Sequence, residues 1–281
     1  MVVNMDVRIG VGGIVPEWKK PQFSISSTKK TIARHLNFMR FLSGLGFRLY
    51  APMPVLLSKQ AYKKVRASQE AMLHKDDYVK LGEEMRKMNI VGVIECSKYA
   101  CLGSKKDYVI ESAIDEIIAH AYICNYTKTF KNIVIHAKGE REILVENVRN
   151  LPTWVKKILC LEFPERENAK RFIKLCDECS VKPLADIGHI KLLGNNYVKD
   201  AILTISDYWD KYMILHYSNV DKRGKHVPLC GDDFLKALRI LEKVDKDIWI
   251  VIESPRETRI KDGLKAMELV LENSKKNRRE K

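Results

Sequence analysis

The sequence lacks any run of eighteen apolar residues, which argues against a membrane-spanning helix. Its first residues, Met1 to Asp6, are not a basic segment followed by a long apolar run, so no secretory signal is expected. The chain also contains no linker, low-complexity segment or short internal repeat. With 281 residues and 46% apolar content, it is therefore predicted to form a single domain around one large core.

Cysteine forms no recognisable disulfide or zinc-finger framework. The seven cysteines make an odd count, and Cys176 and Cys179 have no second pair at zinc-finger spacing. This pair is interpreted as packing residues on one face of a predicted helix. Cys124, Cys160 and Cys230 stand in apolar surroundings and are predicted to be core residues. Free cysteines favour a reducing, cytoplasmic location.

Acidic residues are outnumbered by basic ones, 36 against 50, for a formal net charge of +14. One interpretation is a polyanionic partner such as nucleic acid. The other is the lysine-rich surface of a thermophile protein. The basic segment of residues 274–281 is predicted to be a solvated tail after a barrel domain of residues 1–273.

Apolar runs alternate with segments of helical periodicity along the whole chain. The pattern predicts eight strand-then-helix units, beginning with a strand at Val7 and ending with a helix at 263–273. The strands are nearly continuous in apolar residues, as parallel strands buried on both faces are. The predicted architecture is α/β, a (β/α)8 TIM barrel, with a doubly wound sheet as the alternative.

Six of the apolar runs end in a histidine or a carboxylate, and such strand ends meet at one mouth of a barrel. These residues are Glu95, His136, Glu162, Asp186, His216 and Glu253. His189 and His226 lie in the loops that follow two of the strands. Carboxylates that face one another must take up protons or bind cations, and histidines favour zinc, manganese or iron. The pattern predicts a centre of two or three divalent ions.

Three segments resemble the endonuclease IV family and, more broadly, the xylose-isomerase-like TIM-barrel superfamily. They are Lys182-Pro-Leu-Ala-Asp-Ile-Gly-His189, His216-Tyr-Ser-Asn219 and Gly224-Lys-His-Val-Pro-Leu229. The run Ile248-Trp-Ile-Val-Ile-Glu-Ser-Pro255 is similar to the last barrel strand of archaeal members. The resemblance extends from about Val7 to Asn273 and is loose before residue 90.

The resemblance implies three bound metal ions, usually zinc, and hydrolysis of DNA on the 5′ side of abasic sites. It implies that Glu162 bridges two ions, one of which also binds His136. The remaining ligands that it implies are Asp186, His216 and Glu253 for the second ion and His189 and His226 for the third.

Two positions depart from the endonuclease IV pattern. Glu95 stands where the family usually has a histidine, which adds negative charge and favours manganese. Gly224 stands where the family has an aspartate two residues before the position of His226, with Asp221 in the same loop as a possible replacement. Loss of the third ion would leave a dinuclear site, as in isomerases and epimerases of the superfamily.

The leading hypothesis is a monomeric, metal-dependent abasic-site endonuclease in which Glu162 or Glu253 orients the attacking water. Basic residues in loops after the fourth, sixth and seventh strands are predicted to hold the DNA backbone, namely Lys138, Lys191, Lys222, Arg223 and Lys225. Tyr99, Tyr217 and Trp18 are candidates to stack on a flipped lesion.

Two other hypotheses remain open. A sugar or sugar-phosphate isomerase or epimerase would use Glu162 and Glu253 as its proton-moving pair. A noncatalytic barrel would keep the fold with a degraded metal site, which the departures at Glu95 and Gly224 allow.

Overall fold

Eight parallel strands close into a barrel in the part of the chain that a computed structural model describes, residues 6–12, 28–52, 66–164 and 167–279. Each strand pairs with the next barrel strand along the chain, and the last pairs with the first. The barrel strands are β1 (Val7–Gly12), β2 (Leu49–Ala51), β3 (Val91–Glu95), β4 (Phe130–His136), β5 (Leu159–Glu162), β6 (Lys182–Asp186), β7 (Tyr212–Tyr217) and β10 (Asp247–Ile252). Between β7 and β10 the chain forms a small separate hairpin of β8 (Asn219–Val220) and β9 (His226–Val227). The predicted (β/α)8 barrel is confirmed.

Helices follow the strands and cover the outside of the barrel. They are α1 (Thr28–Gly44), α2 (Ala67–Leu73), α3 (Lys75–Lys87), α4 (Asp107–Thr127), α5 (Arg141–Asn150), α6 (Thr153–Lys156), α7 (Ala169–Cys179), α8 (Ile187–Lys191), α9 (Asn195–Ser206), α10 (Gly231–Leu241) and α11 (Arg259–Arg279). Among these described helices, none is long and apolar enough to cross a membrane.

Helix α7 shows how local sequence and packing cooperate. The Asn168 side chain accepts hydrogen bonds from the backbone N–H groups of Lys170 and Arg171, an N-cap worth about 1 kcal/mol. Phe172 and Cys176, one helical turn apart, are buried against the barrel. The C-x-x-C pair is buried on this packed face, in agreement with the packing interpretation.

The register of the strands brings the polar strand ends to one level. His136 is opposite Glu162 across the β4–β5 pair, and Asp186 is opposite His216 across the β6–β7 pair. Glu253 directly follows β10, and its N–H donates to the carbonyl of Tyr217 at 2.9 Å. The C-terminal ends of parallel barrel strands share one mouth, so these side chains lie close together.

Two local expectations need correction. Cys230, predicted to be a core residue, is exposed, because it lies in the loop that precedes α10. Helix α11, predicted to end at residue 273, continues through Arg279, while the division into a barrel domain and a basic tail stays a prediction. Over residues 59–88 the sequence predicts one or two amphipathic helices, in agreement with α2 and α3, which are separated at His74; residues 59–65 lie outside the described ranges.

Candidate metal centre

Four side chains converge at the C-terminal mouth of the barrel. Glu162, Asp186, His216 and Glu253 each offer one ligand atom, and these four atoms lie within 4.8 Å of one another. The first three are buried, whereas the Glu253 side chain is 12% exposed. The structure thus brings together four of the eight predicted ligands as one group that can hold a metal ion.

His216 lies at the centre of the group. Its Nδ1 is 3.0 Å from Oε1 of Glu162 and 3.3 Å from Oε1 of Glu253. On the other side of Glu162, Oε2 is 3.1 Å from Nε2 of His136. The two oxygens of Glu162 therefore face two different imidazoles, which is the arrangement that a bridging carboxylate requires.

Glu95 also points into the mouth. Its Oε1 is 3.7 Å from Nε2 of His216, too long for a hydrogen bond. A Cβ atom on Gly12 would lie 3.3 Å from Oε1 of Glu95 and 3.6 Å from Oε1 of Glu253, so this glycine leaves room for both carboxylates. Glu95 is therefore placed beside the group of four.

Arg259 is a neighbour of Glu95 that the sequence analysis missed. Its guanidinium donates to the carbonyl of Gly12 through Nη1 and to the carbonyl of Ser254 through Nε at 2.9 Å. It ties the end of β1 to the loop after β10, and its charge favours the ionised form of Glu95. In the sequence, the sign of this role is that Arg259 closely follows Glu253, the residue at the end of the last barrel strand.

Three buried atoms of this centre have no hydrogen-bond partner among the residues that the structure describes. They are Oε1 of Glu95, Oδ2 of Asp186 and Nε2 of His216, out of five such side-chain atoms in total. A buried polar atom without a partner costs about 1–3 kcal/mol. Divalent ions would satisfy these atoms, and a set of imidazole and carboxylate donors suits zinc, manganese or iron. The donor set therefore fits a metal centre.

Burial and neighbouring charges give the carboxylates at the mouth different pKa values. Burial, followed by the charge of Glu253, raises the pKa of Glu95 to about 8. Burial likewise raises the pKa of Asp186 to about 7. Burial alone would raise the pKa of Glu162 too, but the surrounding histidines, His216 first, hold it below its ordinary value.

The two central histidines respond in opposite directions. Burial acts to lower the pKa of His216, but Glu253 and Glu162 outweigh it and hold this pKa well above its ordinary value. For His136, burial is the largest effect and the pKa is lowered. Without a metal, His216 therefore carries the positive charge that keeps Glu162 ionised.

His189 is oriented by two contacts. Its backbone N–H donates to Oδ1 of Asp186 at 3.0 Å, and its Nδ1 is 2.8 Å from the carbonyl oxygen of Phe163. Because a carbonyl oxygen can only accept, Nδ1 carries the proton and the lone pair lies on Nε2. Such a backbone partner is typical of metal-ligating histidines.

His226 is not a member of the group of four. It is on β9, paired with Val220 of β8, and belongs to no ligand group found among the described residues. Asp221 is held within the hairpin turn, where its Oδ1 accepts from the N–H groups of Arg223 and Lys225, and its role as a replacement for the missing aspartate stays a prediction. A third ion at His226 remains a prediction.

The predicted DNA-contacting residues divide into two sets. Lys138, Lys222, Arg223 and Lys225 are at least partly exposed in loops at the mouth. Lys191 is half-buried, because its Nζ lies 5.1 Å from the ring centre of Tyr217 and 3.8 Å from Oδ2 of Asp233. Its charge is therefore directed to neighbours in the protein.

The aromatic candidates also separate. Tyr217 is buried and packs edge-on against Phe234, so it is not accessible to a base. Tyr99 is 75% exposed on the loop after β3, with Nζ of Lys98 at 5.3 Å from its ring centre. Trp18 lies outside the described residues.

A family model described as UV-endonuclease UvdE matches residues 29–276. The chain belongs to the UvdE family. This places it among DNA-repair endonucleases of the xylose-isomerase-like barrel superfamily, whereas membership of the endonuclease IV family, suggested by the sequence motifs, is not supported. No curated protein matches the sequence.

Solved structures share the barrel. The crystal structure of SacUVDE is similar with a TM-score of 0.78 and 16% identity, over 96% of this chain and 99% of that one. A D-psicose 3-epimerase with D-tagatose from Clostridium cellulolyticum H10 is similar with a TM-score of 0.63 and 15% identity, over 95% and 97%. The apo form of the 3-keto-D-glucoside 4-epimerase YcjR from E. coli has a TM-score of 0.63 and 12% identity, over 94% and 98%. At these identities the likeness shows the fold alone.

Proposed function

We propose that this UvdE-family protein is a metal-dependent endonuclease that hydrolyses a phosphodiester on the 5′ side of a damaged nucleotide in DNA. The observation that carries the proposal is the group of Glu162, Asp186, His216 and Glu253 at the barrel mouth. Buried oxygen and nitrogen atoms of this group and of Glu95 have no hydrogen-bond partner in the described part of the chain. Divalent ions held there would supply Lewis-acid polarisation of the phosphate and acidify a water molecule.

The carboxylates are suited to different tasks. Glu162 faces His136 and His216 with separate oxygens, which supports a bridging role between two ions. Glu253 is the most exposed carboxylate of the group and is therefore the one that substrate and water reach. We assign Glu253 to orient the attacking water and to accept its proton.

The surface of the mouth supports a DNA substrate. The chain carries a net charge of +14, and Lys138, Lys222 and Arg223 lie on loops that surround the metal centre. Such residues bind phosphates without reading sequence. Tyr99 is exposed on a neighbouring loop and is suited to stack where a damaged nucleotide leaves the duplex.

The family description points to UV-damaged DNA, and the motifs shared with endonuclease IV point to abasic sites. The test uses three 5′-labelled duplexes of one sequence, with a single pyrimidine dimer, a single abasic site or no lesion. We expect a single cut 5′ to the lesion with manganese or zinc, and no cut in the intact duplex. His216→Ala and Glu253→Gln should abolish cleavage, whereas Glu272→Gln on the exposed face of α11 should not.

If the protein binds metal by elemental analysis yet cuts none of the three duplexes with zinc, manganese or cobalt, the endonuclease assignment fails. Cleavage of only one damaged duplex would assign the lesion class.

A sugar epimerase is the second candidate, because Glu162 and Glu253 belong to the same ligand group at the barrel mouth, where two carboxylates beside a metal-bound sugar could take up and return a proton. Incubation of ketoses in deuterated water tests it. Deuterium incorporation that is lost in Glu162→Gln and Glu253→Gln would favour the epimerase.

A further inference from the structure

A second buried cluster of potential ligands lies outside the barrel, between the end of β3 and helix α4. Cys96, Glu116 and His120 are 1%, 4% and 0% exposed. One ligand atom from each lies within 4.8 Å of the other two. None of the three belongs to the centre at the mouth.

The position of the cluster follows from the alternation of side chains along a strand. Consecutive residues at a strand end point to opposite faces, so Glu95 enters the mouth while Cys96 contacts α4. Glu116 and His120 are four residues apart and lie on the same face of that helix. The two clusters are therefore back to back across the end of β3.

The distance between Cys96 and His120 suits metal coordination. Sγ of Cys96 is 3.4 Å from Nδ1 of His120. Zinc–sulfur and zinc–nitrogen bonds at a tetrahedral angle would place these two atoms about 3.6 Å apart. Glu116 accepts from the backbone N–H of Ser97 at 2.6 Å and from its hydroxyl at 2.9 Å, which orients the carboxylate and leaves acceptor sites on it.

A hydrogen bond between Cys96 and His120 does not by itself account for the cluster. Nε2 of His120, the ring nitrogen that does not face Sγ of Cys96, is fully buried without a hydrogen-bond partner in the described part of the chain, so the cluster is not a fully satisfied hydrogen-bond network. Within those same ranges, no lysine or arginine forms an ion pair with Glu116. A carboxylate is rarely buried without a cationic partner, because its desolvation is costly.

We propose that Cys96, Glu116 and His120 form a second metal site, for a thiophilic divalent cation of the zinc class. One thiolate, one imidazole and one carboxylate are ligands that zinc accepts, and a fourth position remains for a further ligand. Binding releases the thiol proton of Cys96 to solvent. The ion ties the end of β3 to α4 and thereby fixes both Glu95 and the loop that carries Tyr99.

Sulfur ligation allows a test that is independent of nuclease activity, because the described ligands at the mouth offer only nitrogen and oxygen. The protein is stripped of metal and titrated with cobalt(II) while the near-ultraviolet absorption is recorded. We expect a sulfur-to-cobalt charge-transfer band and, by elemental analysis, one more equivalent of metal than in Cys96→Ser. His120→Ala should also lose the band.

Matched variants separate the two sites. Cys176→Ser removes another buried cysteine and should keep the band. His216→Ala damages the mouth and should keep the band as well, so failure of the proposed endonuclease and failure of this site are distinguishable.

Two results would overturn the proposal. One is a wild-type protein that binds cobalt at the mouth without any sulfur-to-cobalt band. The other is a band that persists unchanged in Cys96→Ser. If Cys96→Ser does not fold by circular dichroism, X-ray absorption of the wild-type zinc protein decides, because the absence of sulfur from the zinc ligands would refute the site.

Discussion

His216 shows how a single residue organises the centre. It contacts Glu162 and Glu253 through Nδ1 and faces Glu95 with Nε2, while it is itself buried. Its raised pKa means that, without metal, one imidazolium offsets the charge of several carboxylates. A divalent ion would replace this proton, so metal binding and loss of the His216 proton are linked.

At the residue scale, Glu162→Gln tests the bridging role. Glutamine keeps the shape but loses the charge that faces His136 and His216. We expect metal affinity to fall by about 100-fold or more, since even the outer partners of metal ligands contribute roughly 10–100-fold. Competition with a chromophoric chelator measures it. Glu272→Gln is the control, and an unchanged metal affinity in Glu162→Gln would show that this carboxylate is not a ligand.

At the element scale, the loop after β3 and the loop after β4 are joined at the mouth. Gly103 and Gly139 form an isolated bridge, and the N–H of Glu140 donates to the carbonyl of Gly103 at 2.8 Å. Gly139 has a φ of +90°, and a Cβ there would lie 2.2 Å from the carbonyl oxygen of Gly103. The bridge holds the loop of Tyr99 against the loop of Lys138.

Gly139→Ala should break this bridge between loops. The strained φ and the clash with backbone predict a decrease of about 1–3 kcal/mol in unfolding free energy and weaker DNA binding, with metal content unchanged. Denaturant unfolding and fluorescence anisotropy measure the two effects. Gly44→Ala is the control, because a Cβ there meets nothing within 4 Å and lies in helix α1. Equal stability of both variants would contradict the role of the bridge.

At the scale of the whole molecule, the basic surface and the metal centre act at the same end of the barrel. The net charge of +14 attracts any polyanion, but only cations at the mouth lie where a scissile phosphate would be bound. Position therefore matters more than total charge for the proposed substrate.

The salt dependence of DNA affinity measures how many cations at the mouth contact phosphates. Alanine at Lys222, Arg223 and Lys225 together should reduce the slope of log affinity against log salt by up to about 3, because each phosphate that the protein neutralises adds about 0.9 to the slope. Alanine at Lys131, Lys157 and Lys211, near the opposite ends of the strands, removes the same charge and should leave the slope nearly unchanged. Equal changes in the two triple variants would mean that the mouth is not the binding face.

Stability of the metal-free protein should depend on pH. The pKa values of Asp186 and Glu95 are raised by burial to about 7 and about 8, so the folded state holds protons that the unfolded state loses near its ordinary values of 3.8 and 4.5. Stability is thus fully present below the ordinary values and is lost as the pH rises through about 7 to 8. His216, with its raised pKa, acts in the same direction.

We therefore expect the unfolding free energy of the chelator-treated protein, and with it the melting temperature, to fall between about pH 6.5 and pH 8, by on the order of a few kcal/mol in free energy. Below about pH 6.5 the lowered pKa values of the buried His120 and His136 act in the opposite direction. Manganese or zinc should restore stability most at the upper end of this range, where the ligands are already deprotonated. Differential scanning calorimetry in matched buffers measures both. A melting temperature that rises over this range without metal would contradict the burial of these two groups.

The sequence by itself determined the barrel and the six polar strand ends, because continuous apolar runs and the residues that end them are local features. Only the tertiary structure decided which of these groups meet. Strand register brings Glu162, Asp186, His216 and Glu253 into one group, whereas His226 is held on its own hairpin. Side-chain neighbours distant in sequence redirect Lys191 and Tyr217 into the protein. Side chains alternate between the two faces of the sheet at the end of β3, which places Cys96 against α4. This contact exists only after the helix packs on the barrel.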